Sequence, residues 1–465
     1  MNQDRILKIN KRSFITVCII LLSFMIISYI CTFLIPKGVY NEELNYSSIS
    51  GKGLPFWKFI FSPFLVIFSD GGLSIIVISL FILILGGAFN VIDKTNGINS
   101  IIGALINKFK NHKYFLVYII ILVFMLFGSL FGIFEEAITL LPIIVLLSLA
   151  LGFDTFTGIA MCLLAVGFGF STAITNPFSV GLGSTTMGIN LTDGIFYRIF
   201  VFVIMYLVLC IFTTIHIKRI TKDPQKSPTY ELDIKKKNSI VENELFSKIN
   251  YKVLKVYVVF FIMLLLVIIL SSVLKPLQGY SIPLIAIAFL FGSFICGLLL
   301  KHPFINIGKI FLSGLLGMAP AIIMLMLAGS IKYILDEGQI MATIIHNLTE
   351  MLEGTSPIVG ILFVYLIILI IQFFIGSASA KIILIIPIIS ILADKLGISR
   401  QITLLAFIFG DGFTDLIYPT NPILLISLGM TSFSYIKWFK KTIILQLLVL
   451  LITVILLIIG YYMGY

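Results

Sequence analysis

The chain has 465 residues, of which 59% are hydrophobic and only 11% are charged, and its mean hydropathy is +1.14. Soluble domains carry charge on about a quarter of their residues, so this composition excludes a soluble domain and predicts an integral membrane protein with roughly ten spans. The net charge of +11 lies beside apolar segments, as in cytoplasmic loops, which argues against a nucleic-acid partner.

Disulfides, metal centres and enzyme sites are not predicted. The five cysteines lie in apolar stretches without a CxxC pair, and the four histidines form no HExxH motif. Gly181 and Gly183 lack the third glycine and the soluble βαβ setting of a dinucleotide site. We therefore expect no catalytic residue, no metal and no cofactor, and an intramembrane enzyme is the weakest functional alternative.

The first half of the chain, residues 1–217, begins with a basic N-terminus and an apolar span at about 14–35 that is too long for a cleaved signal peptide. The positive charges predict that the chain lies in a bacterial cytoplasmic membrane with its N-terminus on the cytoplasmic side. The apolar pattern then predicts an interfacial or re-entrant segment at 56–70, a span at 72–92, an amphipathic segment at 93–113, and spans at 114–127 and 195–217.

Glycines and polar residues interrupt the apolar pattern between two of these spans. Residues 128–150, which contain the adjacent acids Glu135 and Glu136, are predicted to form a re-entrant helical hairpin. The next helix is interrupted at 173–177, here called the first break. Pro177 removes a backbone donor there and clashes with the preceding turn, so a continuous helix is not expected.

The second half, residues 253–465, follows a lysine-rich segment at 218–252 that is predicted to be a mobile cytoplasmic linker. Its predicted segments are spans at about 254–273, 280–300, 306–330 and 357–375, an acidic amphipathic segment at 332–354, a hairpin at 376–395, an interrupted helix at 415–422 and a last span at 442–463. We call 415–422 the second break.

The two halves are related by a constant offset of 245 residues. Features that recur at this offset are Pro142 and Pro387, Leu151-Gly152 and Leu396-Gly397, Gly167-Phe168 and Gly412-Phe413, and Thr175-Asn176-Pro177 and Thr420-Asn421-Pro422. The amphipathic segment is basic in the first half and acidic in the second, so the positive-inside rule places the two copies on opposite sides. We therefore predict an inverted-topology repeat, as in many secondary transporters.

The broken helices provide the first candidate site residues. A break frees backbone amides and carbonyls that lipid cannot satisfy. Asn176 and Asn421, together with the hydroxyl groups of Thr175 and Thr420, can bind a substrate or an ion at these positions. The alternative is that both asparagines only cap a kinked helix.

The hairpins provide four more candidates for substrate binding. A carboxylate inside a membrane is costly and by default marks function, so Glu135 and Glu136 are predicted to bind substrate. The alternative is that both acids lie at a water-exposed end of the hairpin and bind no ligand. Ser377 and Ser379 can donate hydrogen bonds at the second hairpin, although small residues also serve close helix packing.

Three charged residues of the second half are candidates for coupling transport to an ion. Asp411 and Asp415 lie close to the second break and can bind a proton or a cation. Lys381 can face a substrate carboxylate, pair with an acid of the other half, or form an internal ion pair. The coupling ion is H⁺ or Na⁺.

Several stretches are shared with one transporter family, namely Gly132-Ile133-Phe134-Glu135-Glu136, Leu151-Gly152-Phe153-Asp154, Gly167-Phe168-Gly169-Phe170 with Thr175-Asn176-Pro177-Phe178, Gly410-Asp411-Gly412-Phe413 with Tyr418-Pro419-Thr420-Asn421-Pro422, and Tyr435-Ile436-Lys437-Trp438. At these residues the chain resembles the anaerobic C4-dicarboxylate carrier family, in particular its YfcC-like branch of basic amino acid antiporters. The resemblance implies the all-α fold of the ion transporter superfamily: a scaffold domain, and a transport domain with two re-entrant hairpins that moves as an elevator. It also suggests a homodimer.

Three functions remain open. The first is a secondary transporter of amino acids, in particular basic ones in arginine/ornithine-type exchange, because two acids suit an ammonium or guanidinium group and oppose a dianion. The second is a transporter of C4-dicarboxylates or short-chain acids coupled to H⁺ or Na⁺, although no duplicated arginine pair stands near the breaks in the sequence. The third is an ion channel, since broken helices also build selectivity filters.

Overall fold

The computed structural model of the chain describes residues 11–41, 45–51, 53–69, 72–109, 111–234, 250–351 and 354–465. These residues are predominantly helical, because a helix satisfies its backbone hydrogen bonds within the segment, as a lipid environment requires. The basic N-terminal residues before Lys11 and part of the predicted linker, 235–249, lie outside the described residues.

The first half forms a series of helices around one small β-hairpin. Its helices are α1 (Lys11–Leu34), α2 (Phe56–Leu65), α3 (Gly72–Lys94), α4 (Gly97–Phe109), α5 (Lys113–Leu126), α6 (Leu141–Ala150), α7 (Thr155–Ile159), α8 (Ala165–Ser171), α9 (Leu182–Met187) and α10 (Ile195–Lys222). Strands β1 (Lys37–Tyr40) and β2 (Tyr46–Ile49) pair antiparallel after α1. Short 3₁₀ or π turns occupy Val66–Phe68, Phe127–Phe131, Glu136–Thr139, Ala160–Leu164 and Pro177–Gly181.

The second half is also a series of helices. Its helices are α11 (Tyr251–Val273), α12 (Ser281–Leu299), α13 (Phe304–Glu337), α14 (Met341–Glu350), α15 (Pro357–Gln372), α16 (Ala378–Lys395), α17 (Arg400–Gly412), α18 (Pro422–Thr431) and α19 (Tyr435–Tyr462). 3₁₀ turns occupy Pro224–Lys226, Lys275–Tyr280 and Phe413–Leu416.

Eight helices of the described residues are long and apolar enough to cross a membrane: α1, α3, α5 with its π turn, α10, α11, α12, α13 and α19. The prediction of a multi-pass, all-α membrane protein is thereby confirmed. The predicted span at 357–375 is shorter than expected, because α15 ends after 16 residues. A full crossing needs about 20 residues.

The predicted hairpin ranges each contain only one helical arm. In 128–150 that arm is α6, and in 376–395 it is α16. Helices α5 and α15 directly precede these two ranges. The re-entrant hairpins stay a prediction.

Helices α3 and α13 pack closely and run in opposite directions. Asn90 Nδ2 donates to Ile310 O at 2.7 Å, while Gly86, one turn earlier, lies against Gly314, one turn later. A Cβ atom at Gly314 would lie 2.2 Å from Gly86 O, so the glycines permit the backbones to approach. These two helices precede the amphipathic helices α4 and α14, which therefore lie at opposite ends of the pair.

The first part of the predicted linker is packed against the protein, which corrects the expectation that 218–252 is mobile throughout. Asp233 is 3% exposed, and its carboxylate accepts hydrogen bonds from Thr155 Oγ1 at 2.6 Å and from Thr229 Oγ1 at 2.5 Å. Composition alone did not reveal this, because the partner Thr155 lies 78 residues earlier in the chain.

Candidate substrate-binding site

The first break starts where α8 ends and is held by the π turn after α5. The backbone N–H groups of Ile174, Thr175 and Asn176 all point to Ser129 O, at 3.0 to 3.2 Å. Thr175 Oγ1 also donates to Leu130 O at 3.1 Å. The first hairpin and the first break therefore form one connected unit, and the Thr175 hydroxyl takes part in that connection.

Asn176 has two roles in this unit. Its Oδ1 accepts a hydrogen bond from Phe178 N at 2.9 Å and caps the helical segment that starts at Pro177. The side chain is fully buried, and in the described part of the chain its Nδ2 has no hydrogen-bond partner. Gly132 has a positive φ of 70° beside it, and a Cβ at that glycine would lie 2.4 Å from Asn176 Oδ1. Asn176 can therefore cap a helix through Oδ1 and still offer Nδ2 to a ligand, so the two alternatives from the sequence do not exclude each other.

The second break has the same cap with a different partner for the amide. Asn421 Oδ1 accepts hydrogen bonds from Ile423 N at 2.8 Å and Leu424 N at 3.3 Å, which starts α18. Its Nδ2 donates to Asp415 Oδ1 at 2.5 Å. Thr420 lies beside it and is half-buried. The two asparagines therefore differ in that only Asn176 has an amide group free for a ligand.

The helices that lead into the two breaks pack against each other. The rings of Phe168 and Phe413 are 5.2 Å apart in an edge-to-face contact. A Cβ at Gly412 would lie 2.4 Å from Ser171 Oγ, so only glycine permits this approach. The glycine–phenylalanine pairs that recur at the 245-residue offset thus lie at the contact between the halves.

Glu135 and Glu136 lie between the π turn after α5 and helix α6. Glu136 is 8% exposed and Glu135 is half-buried. Neither carboxylate belongs to an ion pair among the described residues. The first hairpin therefore presents two acids without a protein cation to neutralise them.

Lys381 forms the internal ion pair that the sequence left as one of three alternatives. Its Nζ lies 2.5 Å from Asp411 Oδ1 and donates to Ile375 O at 2.8 Å. Both charged side chains are buried, with Lys381 fully enclosed. The lysine is therefore occupied by the protein itself and does not face a substrate carboxylate.

Asp415 is held by two amide groups. Its Oδ1 accepts hydrogen bonds from Asn421 Nδ2 and from Gln372 Nε2. Gln372 was not among the predicted site residues. The signal that could have found it is a single polar residue at the end of the apolar helix α15.

The two serines of the second hairpin make long contacts. Ser377 Oγ accepts a hydrogen bond from Ala380 N at 3.4 Å and caps α16. Ser379 Oγ donates to Phe178 O at 3.4 Å, which connects the second hairpin to the first break. Ser379 is therefore the better placed of the two for a ligand at that break.

Arg198 is a second residue that sequence reasoning missed. It is 3% exposed, and its guanidinium donates to Ile174 O at 3.0 Å, Asp193 O at 2.7 Å and Leu191 O at 2.5 Å. It thus fixes the first break to the loop that follows α9. A lone arginine inside the apolar pattern of α10 was the available signal.

A separate polar cluster lies where the linker meets the start of α7. Asp154 caps α7 by accepting from Thr157 N at 2.8 Å, and it accepts from Ser227 Oγ at 2.7 Å, while His216 Nε2 lies 2.9 Å from its Oδ2. Burial raises the pKa of Asp154, but these hydrogen bonds and the charge of His216 outweigh it and lower the pKa to about 2. The cluster holds the first part of the linker against the start of α7.

Two known sequences and two solved structures illustrate what the chain is similar to. A protein of Escherichia coli (strain K12) described as "Putative basic amino acid antiporter YfcC" is 29% identical over 376 residues, which cover 78% of this chain and 73% of that protein. An uncharacterized protein of Haemophilus influenzae is 28% identical over 377 residues, covering 80% of this chain and 72% of its own.

Similar structures include those of the YdaH transporter of Alcanivorax borkumensis and of MtrF, an antimetabolite efflux pump of Neisseria gonorrhoeae. The YdaH structure has a TM-score of 0.46 at 17% identity and covers 97% of this chain and 99% of its own. The MtrF structure has a TM-score of 0.45 at 12% identity and covers 95% of this chain and 94% of its own. The sequence profile described as C4-dicarboxylate anaerobic carrier matches residues 14–462. The chain belongs to the anaerobic C4-dicarboxylate carrier family.

Proposed function

We propose that the chain is a secondary active transporter that moves amino acids, in particular basic ones in arginine/ornithine-type exchange, across a bacterial cytoplasmic membrane by alternating access. The observation that carries this proposal is the pair of asparagine-capped breaks, whose leading helices α8 and α17 contact each other. Broken helices that meet between two halves are the usual place of a transporter site. We also propose that the N-terminus lies on the cytoplasmic side and that the protein forms a homodimer.

The charges around the breaks favour a substrate with a cationic group. Lys381 is already paired with Asp411, whereas Glu135 and Glu136 form no ion pair with any described residue. An ammonium or guanidinium group neutralises these acids, while a dianion would be repelled by them. The amino acid carboxylate is then bound by Asn176 Nδ2, an unused donor.

An inverted repeat that moves as an elevator is the proposed architecture. The antiparallel packing of α3 against α13 supports it, because these helices occupy corresponding places in the two halves. In this arrangement the two hairpins and the two breaks, with α5–α10 and α15–α19, form the transport domain. The remaining helices form the scaffold.

The description of the Escherichia coli relative supports basic amino acids as substrates. The family name supports a second candidate. The family is described by C4-dicarboxylate carriage, so a C4-dicarboxylate or short-chain acid coupled to H⁺ or Na⁺ is the alternative substrate. Arg198 lies at the first break, where a cationic side chain would suit such a substrate. Its guanidinium, however, already donates to three backbone carbonyls.

Counterflow in proteoliposomes separates these candidates. We expect internal unlabelled arginine or ornithine to accelerate uptake of labelled arginine, and internal succinate to have no effect. Acceleration of labelled succinate uptake by internal succinate, without arginine exchange, would assign the dicarboxylate function, and flux without saturation or exchange would assign a channel.

A matched pair of variants tests the charge argument in the same assay. Glu136→Gln removes one uncompensated carboxylate, and we expect the KM for arginine to rise roughly tenfold or more, as for the loss of a hydrogen bond to a charged group. Glu350→Gln changes an exposed acid on α14 and should leave the KM unchanged. Equal KM values for both variants would contradict the assignment of Glu136.

A further inference from the structure

Asp415 lies in a buried group of charges that has one carboxylate more than it has cations. The group contains Lys381, Asp411 and Asp415, each less than a tenth exposed. Lys381 and Asp411 lie 2.5 Å apart and neutralise each other. An ionised Asp415 would then be a buried charge without a counter-ion, which is costly. A cation must therefore neutralise it for at least part of a transport cycle.

A metal cation does not fit the groups around Asp415. Asn421 Oδ1 accepts from Ile423 N at 2.8 Å, which fixes the orientation of its amide and points Nδ2 at Asp415. Gln372 Nε2 donates to the same carboxylate oxygen. Amide N–H groups repel a metal ion, which requires several oxygen ligands. The described residues also hold no group of three His, Cys, Asp or Glu side chains placed to bind a metal.

A proton does fit, because it would satisfy an unused atom of Gln372. Gln372 is 2% exposed, and its Oε1 has no hydrogen-bond partner among the described residues, although its Nε2 contacts Asp415. A protonated carboxyl group gains one O–H donor. An acid and an amide can then form a ring of two hydrogen bonds, with Nε2–H donating to Oδ1 and Oδ2–H donating to Oε1.

The elements packed around this turn bring no other charge towards Asp415 in the described residues. Helix α8 has no titratable side chain. Helix α19 approaches through Trp438, whose Nε1 donates to Leu416 O at 2.8 Å. The charged groups that act on Asp415 are Asp411, which opposes its ionisation, and Lys381, which favours it.

We infer that Asp415 is the proton-binding site of this transporter, and that H⁺ rather than Na⁺ is the coupling ion. The proton binds Asp415 Oδ2 from water on one side of the membrane and returns to water on the other. Gln372 is the positioning residue that accepts its hydrogen bond. This inference rests on the proposed transport function.

The decisive experiment compares exchange with proton-driven transport in proteoliposomes. Asp415→Asn carries an amide in place of the protonated acid, so we expect the acceleration of arginine transport by a pH gradient to fall at least tenfold, measured relative to arginine counterflow in the same variant. Asp394→Asn, which changes an exposed aspartate, should keep both activities. An unchanged response to the pH gradient in Asp415→Asn, or acceleration of the wild type by a Na⁺ gradient alone, would overturn the inference.

Infrared spectroscopy of the purified protein tests the proton without transport. We expect the wild type at neutral pH to show a protonated-carboxyl absorption that Asp415→Asn lacks and that Gln372→Leu shifts. Absence of this absorption from the wild type refutes the proton site. If Asp415→Asn does not fold, the shift in Gln372→Leu decides the question. A wild type without arginine counterflow would refute the proposed function alone, because the infrared result is independent of substrate.

Discussion

At the scale of single residues, the site is defined by polar atoms that the fold buries and leaves unused. An unsatisfied buried donor costs about 1–3 kcal/mol, so it persists only where something else compensates. Asn176 Nδ2 is such a donor, and its counterpart on Asn421 is occupied by Asp415. The two halves therefore share a capping device, but only the first leaves its amide for a ligand.

Asn176→Ser separates the cap from the ligand contact. Serine is as good an N-cap as asparagine, so the protein should fold with nearly unchanged thermal stability. It has no amide, so we expect arginine counterflow to fall at least tenfold. The matched control is Ser434→Ala, at the start of α19, where no side-chain cap bond is present and transport should not change. Full counterflow in Asn176→Ser would reduce Asn176 to a structural cap.

The sequence predicted those site residues that carry a local signal. Asn176 and Asn421 stand before prolines, and Glu135 and Glu136 stand out in an apolar run, so the sequence marks each as a candidate. Gln372 and Arg198 gain their meaning from partners that are distant in the chain, such as Asp415, 43 residues later. Such pairings follow from packing, and one sequence does not contain them.

At the scale of elements, the clearest case is the linker, whose first part is fixed by two buried aspartates. Lysine-rich composition suggested a mobile segment, yet Thr155 N donates to Asp233 Oδ2 at 3.0 Å and Ser227 donates to Asp154. Hydrogen bonds to charged groups contribute about 1.5–3 kcal/mol each, which is enough to hold a short segment in place. The charge content of the linker predicted a solvent-exposed segment, but hydrogen bonds to the Asp154 and Asp233 carboxylates hold its first part against the protein.

Asp154→Asn should release this segment. The folded protein lowers the pKa of Asp154 to about 2. Its ionised form therefore stabilises the docked segment fully above the ordinary pKa of about 4 and loses this effect as the pH falls towards 2. We expect the wild-type segment to stay docked at pH 5, and the variant to be cleaved by trypsin after Lys226 at least tenfold faster at pH 8.

The control for this measurement is Glu231→Gln, which removes an exposed acid from the same segment. Cleavage after Lys226 is followed by mass spectrometry, so that cuts elsewhere in the lysine-rich linker do not interfere. Equal cleavage rates for Asp154→Asn and Glu231→Gln would show that the segment is held by other contacts.

At the scale of the whole molecule, the proposed inverted repeat gives corresponding elements opposite orientations. Helices α4 and α14 follow the antiparallel helices α3 and α13 directly. Helix α4 carries the basic Lys108 and α14 carries the acidic Glu350, a difference in sign that is expected for opposite faces of a membrane. The charges and the packing both support the proposed arrangement.

Cysteine labelling in intact cells tests this arrangement directly. In a variant without the five native cysteines, a single cysteine is introduced at Lys108 on α4 or at Glu350 on α14, both of which are exposed. A membrane-impermeant maleimide should label Glu350→Cys in intact cells, and Lys108→Cys only after the membrane is opened. Lys226→Cys in the linker is the cytoplasmic control. Labelling of α4 and α14 from the same side would exclude the inverted repeat, because a parallel duplication places corresponding helices on one face of the membrane. The proposed transport site would then need another geometry.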